Sequence, residues 1–95
     1  MAEAVTRADL VEAIVQEVGL DKPDAERALT AVTRTMQQAM EDGRRVILVG
    51  FGAFHVTYRQ ERIALHPKTR EPIAVPEQRQ VKFRPSKALK EALNR

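Results

Sequence analysis

The 95-residue chain has no cysteine and no tryptophan. Without thiols, disulfide staples and thiolate metal sites are both excluded. Aromatic residues are few, three Phe and one Tyr, so a platform for stacking unpaired bases is poorly supplied. The two histidines, His55 and His66, stand apart without ligand spacing, and no metal or other cofactor is expected. No apolar run approaches membrane-spanning length. The first residues include Glu3 and Asp9 and lack the basic-then-apolar pattern of a secretory leader. The expected location is cytoplasmic, without membrane contact. No nucleophile–base pairing and no glycine-rich phosphate loop is visible, so the chain does not read as an enzyme.

Hydrophobic residues make up 43% of the chain and charged residues 31%, a balance that suits a folded domain rather than a disordered one. The length fits a single domain over residues 1–95. A chain this short buries only about 60–65% of the surface its unfolded form exposes. With neither disulfide nor metal to compensate, self-association is the expected solution. The net charge of +3 conceals an asymmetry: residues 1–43 hold four Lys/Arg against nine Asp/Glu, and residues 44–95 hold twelve against four. A generic solvated surface is the plain reading. The sharper one is that the basic half faces a polyanion and the acidic half does not.

Hydrophobic spacing divides the chain at the same place. Thr6 and Asp9 resemble a capping box, and Leu10, Val11, Ile14, Val15 and Val18 then recur at helical spacing up to a stop at Gly19. A second helix is predicted from Asp21, with Pro23 and Asp24 in its first turn. Its stripe is Ala25, Ala28, Leu29, Val32, Met36, Ala39 and Met40, and Gly43 ends it. Beyond it the period changes to that of strands. Arg45–Val49 is β-branched, Gly50-Phe51-Gly52 is a tight turn, and Phe54, Val56 and Tyr58 alternate with Ala53, His55 and Thr57. This pattern runs on through Arg59. Ile73, Val75, Val81 and Phe83 mark a return strand that Pro76 interrupts. Ser86 then caps a short final helix with Leu89, Ala92 and Leu93 on its apolar side. The fold class is α+β: a helical hairpin base (1–43), then an antiparallel sheet, a hairpin and a C-terminal helix (44–95).

The hairpin, about residues 59–80, is too long for so small a body. Nine residues from Arg59 to Pro67 would extend nearly 30 Å at ~3.3 Å per residue, against a radius of gyration of ~13 Å for a compact domain of this size. A protruding two-stranded arm is the expectation. It and its base carry Arg59, Arg62, Lys68, Arg70, Arg79, Lys82 and Arg84, and guanidinium groups match phosphate oxygens two at a time. Pro67 stands at the tip with Leu65 and Ile63 behind it. A lone proline most often only makes a turn. On a basic arm it also suits a wedge that enters a base step from the minor groove and kinks the duplex.

Three segments, in this order and spacing, resemble the HU/IHF family of bacterial DNA-bending proteins: Val49-Gly50-Phe51-Gly52-Ala53-Phe54, His66-Pro67-Lys68-Thr69, and Phe83-Arg84-Pro85-Ser86-Lys87-Ala88-Leu89. The resemblance covers nearly the whole chain. It implies an intertwined dimer with a β-saddle and two arms around double-stranded DNA, built from this chain alone or with a paralogous subunit. It implies Pro67 as the intercalating residue. Phosphate contacts are implied from Arg59 and Arg62 on the arm, from Arg79, Arg84, Lys87 and Lys90 on the saddle and its flank, and from Arg7 near the first helix. Leu65, His66, Lys68, Thr69, Arg70 and Lys82 complete the expected DNA-contacting set. Phe51, Phe54 and Phe83, with Leu48, Val32 and Leu29, form the expected dimer core. The implied function is architectural: minor-groove binding with low sequence specificity, bending and compaction of the nucleoid.

The chain departs from the family pattern at the tip. Where Gly-Arg-Asn-Pro is common, it reads Ala64-Leu65-His66-Pro67, so an apolar residue replaces a groove-reading arginine. Arg70 stands where glycine is common and strains the turn if positive φ is required there. Ser86 likewise replaces a frequent glycine. Two rival functions stay open at this level: a sequence-preferring bender of the IHF kind, and a protein-interaction module whose altered arm no longer bends DNA.

Overall fold

The computed structural model describes residues 3–95. Its elements run α1 (Arg7–Val18), α2 (Lys22–Glu41), β1 (Val46–Leu48), β2 (Gly52–Arg59), β3 (Arg62–Leu65), β4 (Pro72–Val75), β5 (Gln78–Pro85) and α3 (Lys87–Leu93). The class is α+β, as expected.

Local signals set the helix ends. Thr6 and Asp9 form a reciprocal capping box at the start of α1, Asp replacing the usual Glu, and Gly19 closes the helix in the left-handed region at φ 83°. The Asp24 N–H donates to Asp21 Oδ1 at 3.0 Å to open α2. At its far end the Gly43 N–H donates to the Met40 carbonyl and the Arg44 N–H to the Ala39 carbonyl, at 3.0 and 2.9 Å. With Gly43 at φ 77°, this is a Schellman closure that satisfies carbonyls the helix leaves open. Ser86 Oγ accepts the Leu89 N–H at 3.1 Å and starts α3, which accounts for serine where glycine is frequent.

The chain forms two compact units, the first ending at Gln38 and the second running Ala39–Arg95. The division falls inside α2 rather than at the glycine that ends it. Its last turn is held in the second unit by Arg79 of β5, whose Nη2 donates to the carbonyls of Met40 and Glu41 at 2.9 and 3.0 Å. In the first unit Val11 and Ala25 are buried. Arg7 ties α1 to α2 there, donating to Thr30 Oγ1 and to the Glu26 carbonyl.

In the second unit β1, β2 and β5 form an antiparallel sheet in that order. The β1–β2 turn closes with the Phe51 N–H on the Leu48 carbonyl, and Gly50 supplies its positive φ of 84°. Gly52 is a glycine for another reason: a Cβ there would sit 2.6 Å from both the Arg84 carbonyl oxygen and the Phe83 ring. The Phe83 ring therefore lies over the Gly52 backbone. It also meets Phe54 at 4.8 Å and Phe51 at 5.5 Å between ring centres.

The arm is interrupted at Pro76, as its place in the return strand implies. β3 and β4 form a separate two-stranded sheet, divided from β2 and β5 by breaks at residues 60–61 and 76–77. Pro76 has no N–H for the ladder, so pairing fails there on its own strand and opposite it. Each ribbon strand has four residues, about 13 Å at ~3.3 Å per residue.

Candidate nucleic-acid interface

Strand register assigns every side chain of the sheet to a face, because directly paired residues share one. Phe54 pairs with Phe83, Val56 with Val81 and Gly52 with Pro85, and β1 adds Val46 opposite Phe54 and Leu48 opposite Gly52. This face is apolar. The alternate pairs are Ala53 with Arg84, His55 with Lys82, Thr57 with Gln80 and Arg59 with Gln78. That face is polar and cationic and carries no carboxylate. A polyanion laid on it meets three cations and no like charge.

Of the expected contact residues, Arg59, Lys82 and Arg84 lie on the cationic face, and Arg62 stands at the root of the ribbon, paired with Val75. Lys87 and Lys90 are exposed on α3. Lys87 lies 3.9 Å from Glu91 in an exposed pair, an interaction weak enough for a phosphate to displace.

Two further arginines take positions that the folded sheet defines. Arg79 pairs with Tyr58 and so belongs to the apolar face, where its guanidinium caps the end of α2. Cations at a helix C-terminus complement its exposed carbonyls. Arg79 thus lies off the face that carries Arg59, Lys82 and Arg84. Arg45, absent from the expected set, lines an open cavity of about 360 Å³ together with His55, Ala53 and Arg84. The Arg44-Arg45 pair before β1 was the available signal. A dibasic step beside a helix end has no face until the sheet is formed.

Arg7 sits in the first unit in a shallow pocket of about 540 Å³ lined also by Glu26, Arg27, Thr30 and Arg34. Three of the four cations of the acidic half therefore converge on one concavity.

The tip is a tight loop. The His66 N–H donates to the Glu71 carbonyl and the Arg70 N–H to the His66 carbonyl, both at 2.9 Å. Within it His66 Nδ1 accepts the N–H groups of Lys68 and Thr69 at 3.1 and 3.2 Å. Arg70 does take positive φ, 63°, so the conformation that glycine would favour is imposed on an arginine, at a cost of roughly 1–2 kcal/mol. Pro67, Lys68 and Thr69 are exposed at the apex. Behind them the ribbon pairs Ile63 with Ala74, Ala64 with Ile73 and Leu65 with Pro72. Both faces of the ribbon are apolar beyond Arg62, and Ile63 and Leu65 are 74% and 60% exposed.

At the arm's base, Tyr58 donates its hydroxyl hydrogen to Glu77 Oε2. That bond to a carboxylate holds the phenol above the usual tyrosine range.

The expected dimer core is open on a single chain. Among the described residues only Val11 and Ala25 are buried hydrophobics, while Phe51, Phe83, Leu48 and Val32 are 46%, 42%, 40% and 53% exposed. Phe54 and Leu29 are half-buried.

The chain is similar to known proteins over nearly its whole length. The family model described as bacterial DNA-binding protein matches residues 5–94. DNA-binding protein HU-beta of Neisseria meningitidis is 44% identical over 89 residues, covering 94% of this chain and all of that one. Integration host factor subunit alpha of Phenylobacterium zucineum is 43% identical over 86 residues, covering 90% of this chain and 86% of that protein. Among solved structures, an Anabaena HU–DNA cocrystal structure superposes with a TM-score of 0.81 at 33% identity, over 93% of this chain and 96% of that one.

Proposed function

The chain belongs to the HU/IHF family of bacterial DNA-binding proteins, and we propose that it is a homodimeric architectural protein that binds duplex DNA through the minor groove and bends it. The observation that carries this reading is the two-faced sheet of the second unit. One face presents Arg59, Lys82 and Arg84 without a carboxylate, and the other leaves an aromatic cluster uncovered. Beyond β2 the chain forms a separate ribbon, β3 with β4, whose apex is an exposed proline.

Each part has a role. The face cations, with Arg45, Arg62, Lys87 and Lys90, take phosphates, which makes affinity steeply dependent on salt and largely indifferent to sequence. Arg7 takes phosphates of DNA that reaches the helical unit. Pro67 is the wedge, with Leu65 behind it; Lys68, Thr69 and Arg70 hold the strands on either side. Partial unstacking costs a few kcal/mol and is offset by the contacts that bent DNA permits. The open apolar face, Leu48, Phe51, Phe54 and Phe83, and the exposed Val32 with Leu29 on α2, are covered by a second copy of the chain. Such a protein acts in the nucleoid.

The test is binding and bending of a nicked or gapped duplex at two salt concentrations, with random-sequence competitor. Log affinity should fall with log salt by ~0.9 for each phosphate neutralised, and Arg84→Ala or Lys87→Ala should each lower that slope by about one. Pro67→Ala should reduce bending more than affinity. DNA left straight and unbound at low salt would refute the reading, and strong preference for selected over random duplex would move it to the IHF kind of bender.

A further inference from the structure

The hydrogen bonds at the arm tip give His66 a use that no DNA contact requires. Its backbone closes the loop in both directions, to Glu71 and from Arg70. Its half-buried ring bonds inward: Nδ1 accepts the Lys68 and Thr69 N–H groups, the two amides that follow Pro67. A side-chain acceptor on amides two and three residues ahead is the geometry with which Asn or Asp fixes a turn. Here an imidazole performs it.

Building on the wedge reading above, we infer that His66 is the positioning residue of Pro67 and makes DNA bending sensitive to protonation. A neutral imidazole has one acceptor nitrogen and one donor, and the imidazolium has two donors. Since both amides converge on Nδ1, the closed tip requires the Nε2–H tautomer. A proton on Nδ1 turns the acceptor into a donor facing two other donors. The tip then opens and Pro67 loses its bracing, while the sheet cations are untouched.

The charged groups of the loop and ribbon are Lys68, Arg70 and Glu71 in the loop and Arg62 on β3; β4 carries no charged residue. Histidine is the side chain whose charge changes in the pH range that cells visit. Bending is therefore present at neutral and mildly alkaline pH and lost on acidification, with binding to the sheet retained.

The test is end-to-end fluorescence transfer across a gapped duplex between about pH 5 and pH 8, with affinity measured in parallel. The native chain should lose bend as the pH falls while remaining bound. His66→Ala should bend poorly throughout, and His66→Asn, which keeps a side-chain acceptor that does not titrate, should bend at every pH. On the free protein, nitrogen NMR should show His66 as the Nε2–H tautomer at mildly alkaline pH. A Nδ1–H tautomer, undiminished bending by His66→Ala, or the same pH response in native and His66→Asn chains would overturn the inference while leaving the wedge in place. If Pro67→Ala leaves the bend unchanged, the wedge itself fails and the inference goes with it.

Discussion

At the scale of single residues, packing against backbone and single polar contacts decide most. Gly52 is the tightest case, because an added Cβ would press on the Arg84 carbonyl and the Phe83 ring together. The carbonyl belongs to the β2–β5 ladder and yields only if the strands move apart. Gly52→Ala should therefore destabilise the fold by about 1–3 kcal/mol, read from the urea midpoint. Tyr58 offers a pH test. Its hydrogen bond to Glu77 raises the phenol's titration, so this contribution is complete below the ordinary tyrosine range and disappears as pH rises through the raised one. Tyr58 is the only tyrosine and there is no tryptophan, so phenolate absorbance reports it without interference. Glu77→Ala should bring that titration back toward ordinary tyrosine. The motif residues Gly50, Pro67 and Ser86 were legible in the chain because each acts on neighbours within three or four positions. The role of His66 was not, since which ring nitrogen faces which amide depends on how the loop closes.

Among elements, the junction between α2 and β5 carries the clearest consequence. Arg79 spends Nη2 on two carbonyls of the last helical turn. Arg79→Ala should lose about 1.5–3 kcal/mol of stability, the range for hydrogen bonds to a charged group, visible as a lower thermal midpoint. Arg79→Lys keeps the charge but not the planar fork. It should recover little of that stability, while the salt dependence of DNA binding stays near that of the native chain. If Arg79 instead served mainly as a phosphate contact, Ala would flatten the salt dependence and Lys would restore it. The arm shows what periodicity misses: the polar run Arg59–Arg62 links β2 to β3, and pairing stops where Pro76 has no N–H to give. The interruption was readable on the proline's strand. Its echo at Gln60 and Glu61 on the opposite strand needed the pairing itself.

For the molecule as a whole, the shortage of buried side chains in one chain is the governing fact. A body with two buried hydrophobic residues among those described and a phenylalanine cluster open on one face would gain stability from the proposed pairing. Thermal unfolding should accordingly shift to higher temperature as protein concentration rises, and sedimentation should give twice the chain mass of 10.7 kDa. A midpoint independent of concentration, with sedimentation at the single-chain mass, would contradict the dimer. The acidic and basic halves were plain from composition. Their organisation was only partly so, because the boundary lies inside a helix whose last turn is claimed by a side chain 38 residues further on.

Helix ends, the tight turns, the apex proline and the family motifs were all written in the order of residues, since each depends on hydrogen bonds and steric limits among near neighbours. The cationic face, the removal of Arg79 from it, the presence of Arg45 beside it and the bracing of the tip by His66 came only with folding. Alternation along a strand says that two faces exist. Which side chains share one, and what they meet there, is set by register between strands distant in the chain, and by loops whose closure brings a ring nitrogen to a particular pair of amides.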